Sequence, residues 1–540
     1  MLRTRDKKLY AVTGQAKTEP KMIFLKLLYL LMGVFIVFSP PSAQAESNNT
    51  KNLILHIPPI IAGANRLYSE GGVFINQGKA LIGFGACADI WHYEGCPNIT
   101  RGRETSAGNI QWDDDITKLV QNLSDYHFAL IPIYEGLWQD SGSYDHKVEC
   151  YDKYEKHEVY ALPYARTHYG RACDGRARFD LSKFNQPFFD RYAQLAALAE
   201  RKGIIVDIAI FNQHRYLETD AHYQDQPWRP QNNVNAVSMP SQIPAANSFY
   251  RNKSNRQFQR LYIRKMLDTI APYRNAVLLS LAEEYTGGIG LMNFFIDTVR
   301  NWETENNLPS GSIRISLAAP KDVLDFILAT RLNDIFAINL RYFFYRNGWL
   351  YQPPGGAEVP GRYSTGVHRF GGAANSTPNE IHKKTLAYRQ KFPEKIILDQ
   401  IQGNTNQNWA FIMAKGSILV QENLGFPGRG RYGRPVQAGM SKAMAKVATL
   451  IGRDYKNLFP ADRLVSGDNN WCLAAKNKAY VVYASHGGTF SLNLHNDSRD
   501  YIASWIDPTN GSTKAAGNVS GGGIRSFSTP GGKTYVLVLK

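Results

Sequence analysis

The sequence predicts an α/β protein, namely a (β/α)8 TIM barrel followed by a small C-terminal all-β sandwich. Between residues 81 and 423, eight short apolar runs alternate with helix-like stretches, which is typical of parallel strands joined by helices. From about residue 465, short alternating strands with Gly, Asn and Asp turns replace this pattern. With 44% hydrophobic residues among 540, the composition excludes global disorder. A doubly wound open sheet is the alternative, but GFGACADIW lacks the GxGxxG spacing of that fold.

A secretory leader is predicted over residues 1–45. The apolar run Leu27–Phe38 is too short to span about 30 Å of hydrocarbon, and it is followed by the small-x-small end Ala43-Gln44-Ala45. We expect translation to start at Met22 and cleavage to follow Ala45, which gives a secreted or periplasmic protein without a transmembrane segment. An N-terminal anchor is the alternative.

The five cysteines fit an oxidising compartment. Proximity along the chain favours the pairs Cys87–Cys96 and Cys150–Cys173, which leaves Cys472 unpaired. No CxxC, HxH or HExxH motif and no DxDxDG loop occurs, so we expect neither a metal site nor a cofactor.

The formal charge of +16 favours anionic partners. The leader contains seven Lys and Arg against two Asp and Glu, so the chain after Ala45 keeps +11. No nucleic-acid-binding motif occurs, and acidic or sulfated glycans fit the compartment better. Arginine clusters in two long loops could hold sulfate or carboxylate groups: Arg166, Arg171, Arg176 and Arg178, and then Arg429, Arg431 and Arg434. A solvated, charged surface is the simpler explanation of both features.

The predicted barrel domain spans residues 46–464 and includes an N-terminal hairpin. Its eight strands lie in the runs 81–89, 127–135, 203–212, 275–284, 312–320, 334–342, 394–402 and 416–423. Amphipathic helices are predicted over 188–203 and 256–273. The sandwich module follows over 465–540. We expect it to brace the barrel and to expose few aromatic side chains other than Trp505.

Titratable and amide side chains follow the predicted strands at their carboxyl ends, where a TIM barrel places its active site. Because buried charge is unfavourable unless it is paired or used, they are the candidate site residues. Strand four shows the alternation: Ser280, Ala282 and Glu284 share one face, and the opposite face is Leu279, Leu281 and Glu283. We expect Glu284 to point into the barrel. The candidates for substrate binding are Asp89, His92, Glu135, Trp138, Asn212, His214, Glu283, Tyr285, Asn339, Arg341, Tyr342 and Gln400.

The eight-strand order with Glu284 at the end of strand four resembles the clan A glycoside hydrolases. The opening NRLYSEGGVFINQGKALIGFG resembles the hairpin that starts many of these secreted enzymes, and SWIDPTNGST…FSTPGGKTYVLVLK resembles the collagen-binding-type β-sandwich module that follows such barrels. The resemblance implies a retaining mechanism with Glu284 as acid/base and a nucleophilic Glu at the end of strand seven.

Two positions depart from that family pattern. Glu283 stands where an Asn usually precedes the acid/base, and Gln400 falls where the nucleophile is expected. A Gln cannot form a glycosyl-enzyme intermediate, so Asp399 or Glu422 would have to supply the second carboxylate, or the protein hydrolyses nothing.

The leading prediction is a secreted glycoside hydrolase that cleaves a polysaccharide with two carboxylates, and the basic charge favours an anionic polysaccharide. A non-catalytic glycan-binding or adhesion protein on a degenerate barrel is the first alternative, and Gln400 favours it. The second is a polysaccharide lyase, in which His92, His214 or Tyr342 would act as base and Arg341 would neutralise a uronate.

Overall fold

The fold is described from a computed structural model of the chain. The described residues are 67–76, 78–86, 99–104, 110–112, 115–133, 158–160, 162–212, 223–224, 226–242, 245–283, 288–341, 344–346, 349–351, 376–401, 403–421 and 438–540. The predicted leader lies outside them. Within these ranges, no helix has the length and apolar character needed to cross a membrane.

Eight parallel strands close into a barrel, which confirms the predicted fold class. Each of the eight apolar runs supplies one strand, and all eight pair in parallel. In chain order they are β4 (Gly83–Ala86), β7 (Leu130–Ile133), β11 (Ile205–Asn212), β12 (Val277–Glu283), β13 (Arg314–Ala318), β14 (Ile335–Asn339), β17 (Ile396–Gln400) and β18 (Ile418–Gln421). The ring closes because β4 pairs with both β7 and β18.

Helices follow most of these strands. They are α1 (Ile116–Asp125), α2 (Gln186–Lys202), α3 (Ala246–Arg251), α4 (Arg256–Ile270), α5 (Ile289–Glu305), α6 (Lys321–Arg331), α7 (Pro378–Lys391), α8 (Thr405–Met413) and α9 (Ala438–Ile451). α4 buries the stripe Tyr262, Ile263, Met266, Leu267 and Ile270, whose spacing follows the helical period. At the start of α7, the side chains and backbone N–H groups of Thr377 and Glu380 cap one another reciprocally.

Smaller antiparallel sheets lie in the connections between barrel elements. The strands are β5 (Arg101–Glu104), β6 (Ile110–Trp112) and β8 (Glu158–Tyr160) in one sheet, β9 (Tyr164–Arg166) and β10 (Phe179–Phe184) in a second, and β15 (Phe344–Arg346) and β16 (Trp349–Tyr351) in a third.

An N-terminal antiparallel sheet closes the amino end of the barrel. It consists of β1 (Leu67–Glu70), β2 (Val73–Asn76) and β3 (Lys79–Leu81). Its tight turn places Gly71 and Gly72 at φ 57° and 75°, which a two-residue hairpin turn of this type requires. The buried Phe74 joins the apolar cluster inside the barrel and packs 5.4 Å from the Phe336 ring. The hairpin therefore forms the apolar floor of the barrel.

The buried Arg389 of α7 ties this floor to the neighbouring loops. It is 1% exposed, and burial lowers its pKa to about 10. Its guanidinium donates hydrogen bonds to five backbone carbonyls, those of Gly72, Phe392, Pro393, Lys395 and Lys415. The planar fork of Arg therefore connects segments that are distant in sequence.

Arg389→Lys is expected to lower the free energy of unfolding by about 3 kcal/mol, because a lysine cannot serve all five carbonyls and each buried, unpaired group costs about 1–3 kcal/mol. Urea unfolding followed by circular dichroism measures the change. The matched control is Arg264→Lys on the surface of α4, which we expect to change stability by at most about 0.5 kcal/mol. Equal losses in the two variants would contradict the role of Arg389.

The C-terminal module is an antiparallel β-sandwich, as predicted. One sheet contains β19 (Phe459–Pro460), β20 (Trp471–Ala475), β21 (Ala479–Ala484), β26 (Tyr535–Leu539), β23 (Asp500–Ile506) and β24 (Thr513–Ser520), in this spatial order. β22 (Thr489–Asn493) and β25 (Ile524–Ser528) form the other. The expectation that Trp505 is exposed is wrong. Trp505 is 6% exposed because it packs on Phe490, Phe527 and Tyr535 in the module's own core.

Barrel and module share one continuous apolar core. Four stacked rings cross the boundary between them and are called the interface stack: His382 of α7, Trp471 of β20, Tyr483 of β21 and Trp409 of α8. Successive ring centroids are 5.1, 5.9 and 5.6 Å apart. Polar groups fix its ends, since Trp409 Nε1 donates to the Pro508 carbonyl at 3.2 Å and His382 Nε2 lies 2.8 Å from Asp462 Oδ2.

Candidate functional site in the barrel lumen

A polar layer lies above the apolar floor inside the barrel. Leu278, Leu398 and Ile418 belong to the floor, and side chains two residues further along the same strand face point the same way. Six polar side chains occupy such positions on β11, β12, β13, β14 and β17 or directly after β14. All six are buried: Asp207, Ser280, Ser316, Asn339, Arg341 and Gln400.

Asp207 is the acid among these six residues. Burial raises its pKa to about 7, and the nearby charge of Arg341 and the Ser280 hydroxyl oppose that rise. Ser280 Oγ lies 3.4 Å from Asp207 Oδ1. The sequence analysis missed Asp207, although a charged residue inside the apolar run IIVDIAIF was a usable signal, since buried charge is rarely tolerated without a partner.

Asp207→Asn is expected to make stability less sensitive to pH. The pKa of Asp207 is about 7 in the folded protein and has its ordinary value of 3.8 in the unfolded chain. The unfolded chain therefore loses this proton first, and the parent loses stability relative to the variant as pH rises from 4 to 7. The slope is about 1.4 kcal/mol per pH unit and levels off above pH 7. Urea unfolding of both proteins from pH 4 to 8 measures it, and Asp468→Asn on the module surface is the control. A difference that stays constant across this range would contradict the prediction.

Arg341 and Asn339 occupy the carboxyl end of β14, where the sequence analysis placed them. Asn339 Oδ1 accepts a hydrogen bond from the Arg341 backbone N–H at 3.2 Å, which stabilises the chain as it leaves the strand. Arg341 is 7% exposed, and its charge acts on Asp207. The positive charge of Arg341 therefore partly compensates the burial of the Asp207 carboxylate inside the lumen.

Gln400 at the end of β17 presents an amide to the lumen. It is 1% exposed, and neither its Oε1 nor its Nε2 has a hydrogen-bond partner among the residues that the structure describes. A buried, unpaired amide is unfavourable by about 1–3 kcal/mol per group, so it is suited to bind a ligand that brings donors and acceptors.

Asp399 lies on the opposite face of β17. Its Oδ2 is 2.6 Å from Lys384 Nζ of α7, and both side chains are almost completely buried. The pair packs between strand and helix, outside the lumen, because Asp399 is one residue out of phase with Leu398 and Gln400. The register shift that would bring Asp399 to the lumen is therefore not present, and the prediction of Asp399 as a nucleophile is wrong because its carboxylate pairs with Lys384 outside the lumen.

Most of the other sequence candidates lie outside the described residues. These are Asp89, His92, Glu135, Trp138, His214, Glu284, Tyr285, Tyr342 and Glu422. Asn212 and Glu283 are described as the last residues of β11 and β12, where they pair in register. Glu284 follows Glu283 directly at the carboxyl end of the fourth barrel strand.

The first arginine cluster has a local structural role at Arg166. Arg166 forms an ion pair with Asp174, donates to the Ala177 carbonyl at 2.9 Å and lies 3.8 Å over the Phe179 ring. It holds the β9–β10 connection together, which makes it a poor anion ligand. The second cluster lies outside the described residues.

Two of the cysteines are described. Cys173 forms a disulfide whose other half lies outside the described ranges, and Cys472 is free and buried. Within those ranges, no group of three His, Cys, Asp or Glu side chains is arranged to hold a metal ion.

Two solved structures resemble the whole arrangement of barrel and module. One, described as a glycoside hydrolase, has a TM-score of 0.52 at 9% identity and covers 88% of this chain and 96% of its own. The other, a glycoside hydrolase family 5 protein from Bacteroides vulgatus, has a TM-score of 0.53 at 10% identity and covers 88% and 93%. At such low identity these likenesses establish the fold alone: a (β/α)8 barrel with a C-terminal sandwich.

Family models account for most of the sequence. Residues 460–540 match the family described as "Putative collagen-binding domain of a collagenase", which agrees with the resemblance noted for the module. No curated protein matches the chain. Residues 86–424 match the family described as "Domain of unknown function (DUF6298)". Since that match runs from the end of β4 past β18 and spans more than half of the sequence, the chain belongs to the DUF6298 family.

Proposed function

We propose that the protein is a secreted glycoside hydrolase that cleaves a polysaccharide with Glu284 as general acid/base. The observation that carries the proposal is the position of Glu284 directly after β12, the fourth strand of a closed barrel whose lumen is polar at this end. Leu278 and Ser280 face the lumen, and the two-residue period of the strand, continued to position 284, favours the same direction for Glu284. The fold likeness to glycoside hydrolases supports the same activity.

The second carboxylate in this proposal is Glu422. Asp399 is engaged by Lys384 outside the lumen, and Gln400 cannot act as a nucleophile. Glu422 follows β18, where Ile418 faces the lumen, so the two-residue period of the strand favours a lumenal Glu422. A carboxyl separation of about 5–5.5 Å would give retention, and about 6.5–9.5 Å would give inversion with a water between. Gln400 would then hydrogen-bond the substrate.

A second candidate function is non-catalytic glycan binding. The specific observation in its favour is Gln400 itself, because a barrel with an amide at the usual nucleophile position can hold a sugar without cleaving it. The two functions differ in one measurable respect, the release of new reducing ends.

The test uses the chain from Glu46 onward against sulfated, uronate-containing and neutral polysaccharides. A hydrolase releases reducing ends from at least one of them, and the anomeric proton signals of the first products show retention or inversion. Retarded migration in affinity electrophoresis without product would favour the binding function. Neither binding nor release by a folded, monodisperse protein would overturn the proposal. Products that absorb as unsaturated uronates would indicate a lyase instead.

A further inference from the structure

A basic groove of about 610 Å³ opens between the amino ends of α4 and α5, beside the end of α3. Four cations line it: Arg251, Lys253, Arg256 and Arg260. The remaining lining includes Phe294 and Gly290 of α5, and none of the described residues that line it is acidic. The volume lies within the range of ordinary ligand pockets. We call this feature the basic groove.

The groove holds two of its guanidinium groups in fixed positions. Arg256 donates to Gln259 Oε1 at 2.6 Å and to the Tyr250 carbonyl at 2.5 Å. The guanidinium carbons of Arg256 and Arg260 lie 4.8 and 5.3 Å from the centre of the Phe294 ring. Two like charges one helical turn apart repel each other, and the shared ring partly compensates for this.

The other end of the same helix pair is arranged differently. There, Arg264 of α4 forms an ion pair with Glu305 of α5, and Trp302 Nε1 donates to Asp268 Oδ1 at 2.8 Å. The sequence of α5 contains no Asp or Glu before Asp297. Among the described residues of this helix pair, Arg264 of α4 thus has an acid of α5 as its partner, whereas Arg260 lies beside Gly290 and the Phe294 ring of α5.

The basic groove lies at the end of the barrel where the proposed chemistry takes place. α5 begins six residues after Glu283, and the helix of a βα unit starts at the carboxyl end of the preceding strand. A polymer that reaches the lumen from this side would pass the groove.

We propose that the basic groove binds the sulfate or carboxylate groups of an anionic glycan, next to the lumen of the barrel. The inference rests on the proposed function and deepens it, because it names the substrate class. Guanidinium forks match the oxygens of sulfate and carboxylate by paired hydrogen bonds. A single-stranded nucleic acid is less suited, since it needs aromatic faces on which bases stack, whereas the guanidinium groups already occupy the Phe294 ring.

The test substitutes Gly290, because a Cβ added there would have no other atom within 4 Å. Gly290→Glu introduces a negative charge into the groove, and Gly290→Gln introduces the same shape without the charge. Ile502→Glu, on the exposed face of the module, is the control for net charge. All variants are made in the Glu284→Gln background, so that binding is measured without turnover. The probes are dextran sulfate, polygalacturonate, neutral dextran and oligo(dT), at several NaCl concentrations.

We expect Gly290→Glu to weaken binding of dextran sulfate or polygalacturonate about tenfold, equivalent to about 1.4 kcal/mol, while Gly290→Gln and Ile502→Glu change it less than about twofold. The better of the two probes distinguishes sulfate from carboxylate. Equal binding by the Glu and Gln variants would overturn the proposal, as would tighter binding of oligo(dT) or equal binding of neutral dextran. If the double substitution Lys442→Gln with Lys446→Gln weakens polyanion binding and Gly290→Glu does not, the site lies in a second basic cleft near the barrel floor. That result would also overturn the proposal.

The outcomes separate this inference from the proposed function. If Gly290→Glu weakens binding but the parent releases no reducing ends, the proposal for the basic groove is supported and the proposed hydrolase function is contradicted. If the parent hydrolyses a neutral glycan and Gly290→Glu has no effect, hydrolysis stands and the groove proposal is wrong.

Discussion

Glu284→Gln is expected to lower the rate of polysaccharide hydrolysis by at least about a hundredfold and to remove the alkaline limb of the pH–rate profile. The amide preserves the shape of the side chain but has no proton to give to the leaving oxygen, and general acid catalysis contributes about 10²–10⁴ in rate. The measurement is the initial rate of reducing-end release on the glycan that the parent cleaves. A leaving group that needs no protonation, such as dinitrophenolate, should restore part of the rate, which a merely structural loss would not do.

Glu422→Ala provides the complementary variant for the second carboxylate. If Glu422 is the nucleophile, azide should restore turnover and yield a glycosyl azide of inverted configuration; if it is a general base, azide should restore turnover more weakly. The control is Asp399→Asn. It breaks the buried pair with Lys384, so it should lower thermal stability while the folded fraction keeps its rate. An Asp399→Asn chain that is folded but inactive would contradict the assignment.

A chain that ends at Leu458 is expected to yield little or no soluble barrel. Removing the module would expose Trp409 and His382, which are fully or almost fully buried in the intact protein, and would leave Trp409 Nε1 without its carbonyl partner. Apolar surface exposed on this scale favours aggregation. The soluble fraction after expression, and dye binding by whatever is recovered, measure the effect.

A graded version of the same test uses point variants in the interface stack. Trp471→Ala should cost about 3–5 kcal/mol, the usual range for deleting a buried aromatic side chain, and should lower the melting temperature of barrel and module together. Ile502→Ala, at a site 70% exposed on the module, should have little effect. Separate melting transitions for the two domains in the parent would contradict the shared core.

The barrel could be predicted from the sequence because its strands are buried on both faces. Such strands form continuous apolar runs, and all eight predicted runs contain the observed strands. The same property hides the direction of individual side chains. In KIILDQIQ every neighbour of Asp399 is buried, so no polar alternation shows which of Asp399 and Gln400 faces the lumen. The apolar clusters on the two sides of the strand were needed to decide it.

Contacts between segments that are distant in the sequence could not be predicted either. Nothing in the sequence indicates that Arg166 pairs with Asp174. Trp505 shares a strand face with the buried Tyr501 and Ala503, but the sequence does not identify the rings of the other sheet that cover it. The interface stack draws its rings from two helices and two strands. By contrast, Asp207 stands out in the sequence as a charged residue in an apolar run, but it lies inside β11 and not at the strand end, where the candidates were expected.

The hairpin under the barrel has a consequence for the order in which the protein can fold. The Gly72 carbonyl accepts hydrogen bonds from Arg389 and from Ser417, residues 317 and 345 positions later in the chain. The hairpin is synthesised early, but it can form these contacts only after strands seven and eight have been synthesised. Closing a loop of this length costs conformational entropy before the contacts form. Topologies of this kind fold slowly. If the protein is secreted as proposed, late closure would be compatible with transport through a membrane, because the chain would stay unfolded until its C-terminal part has followed.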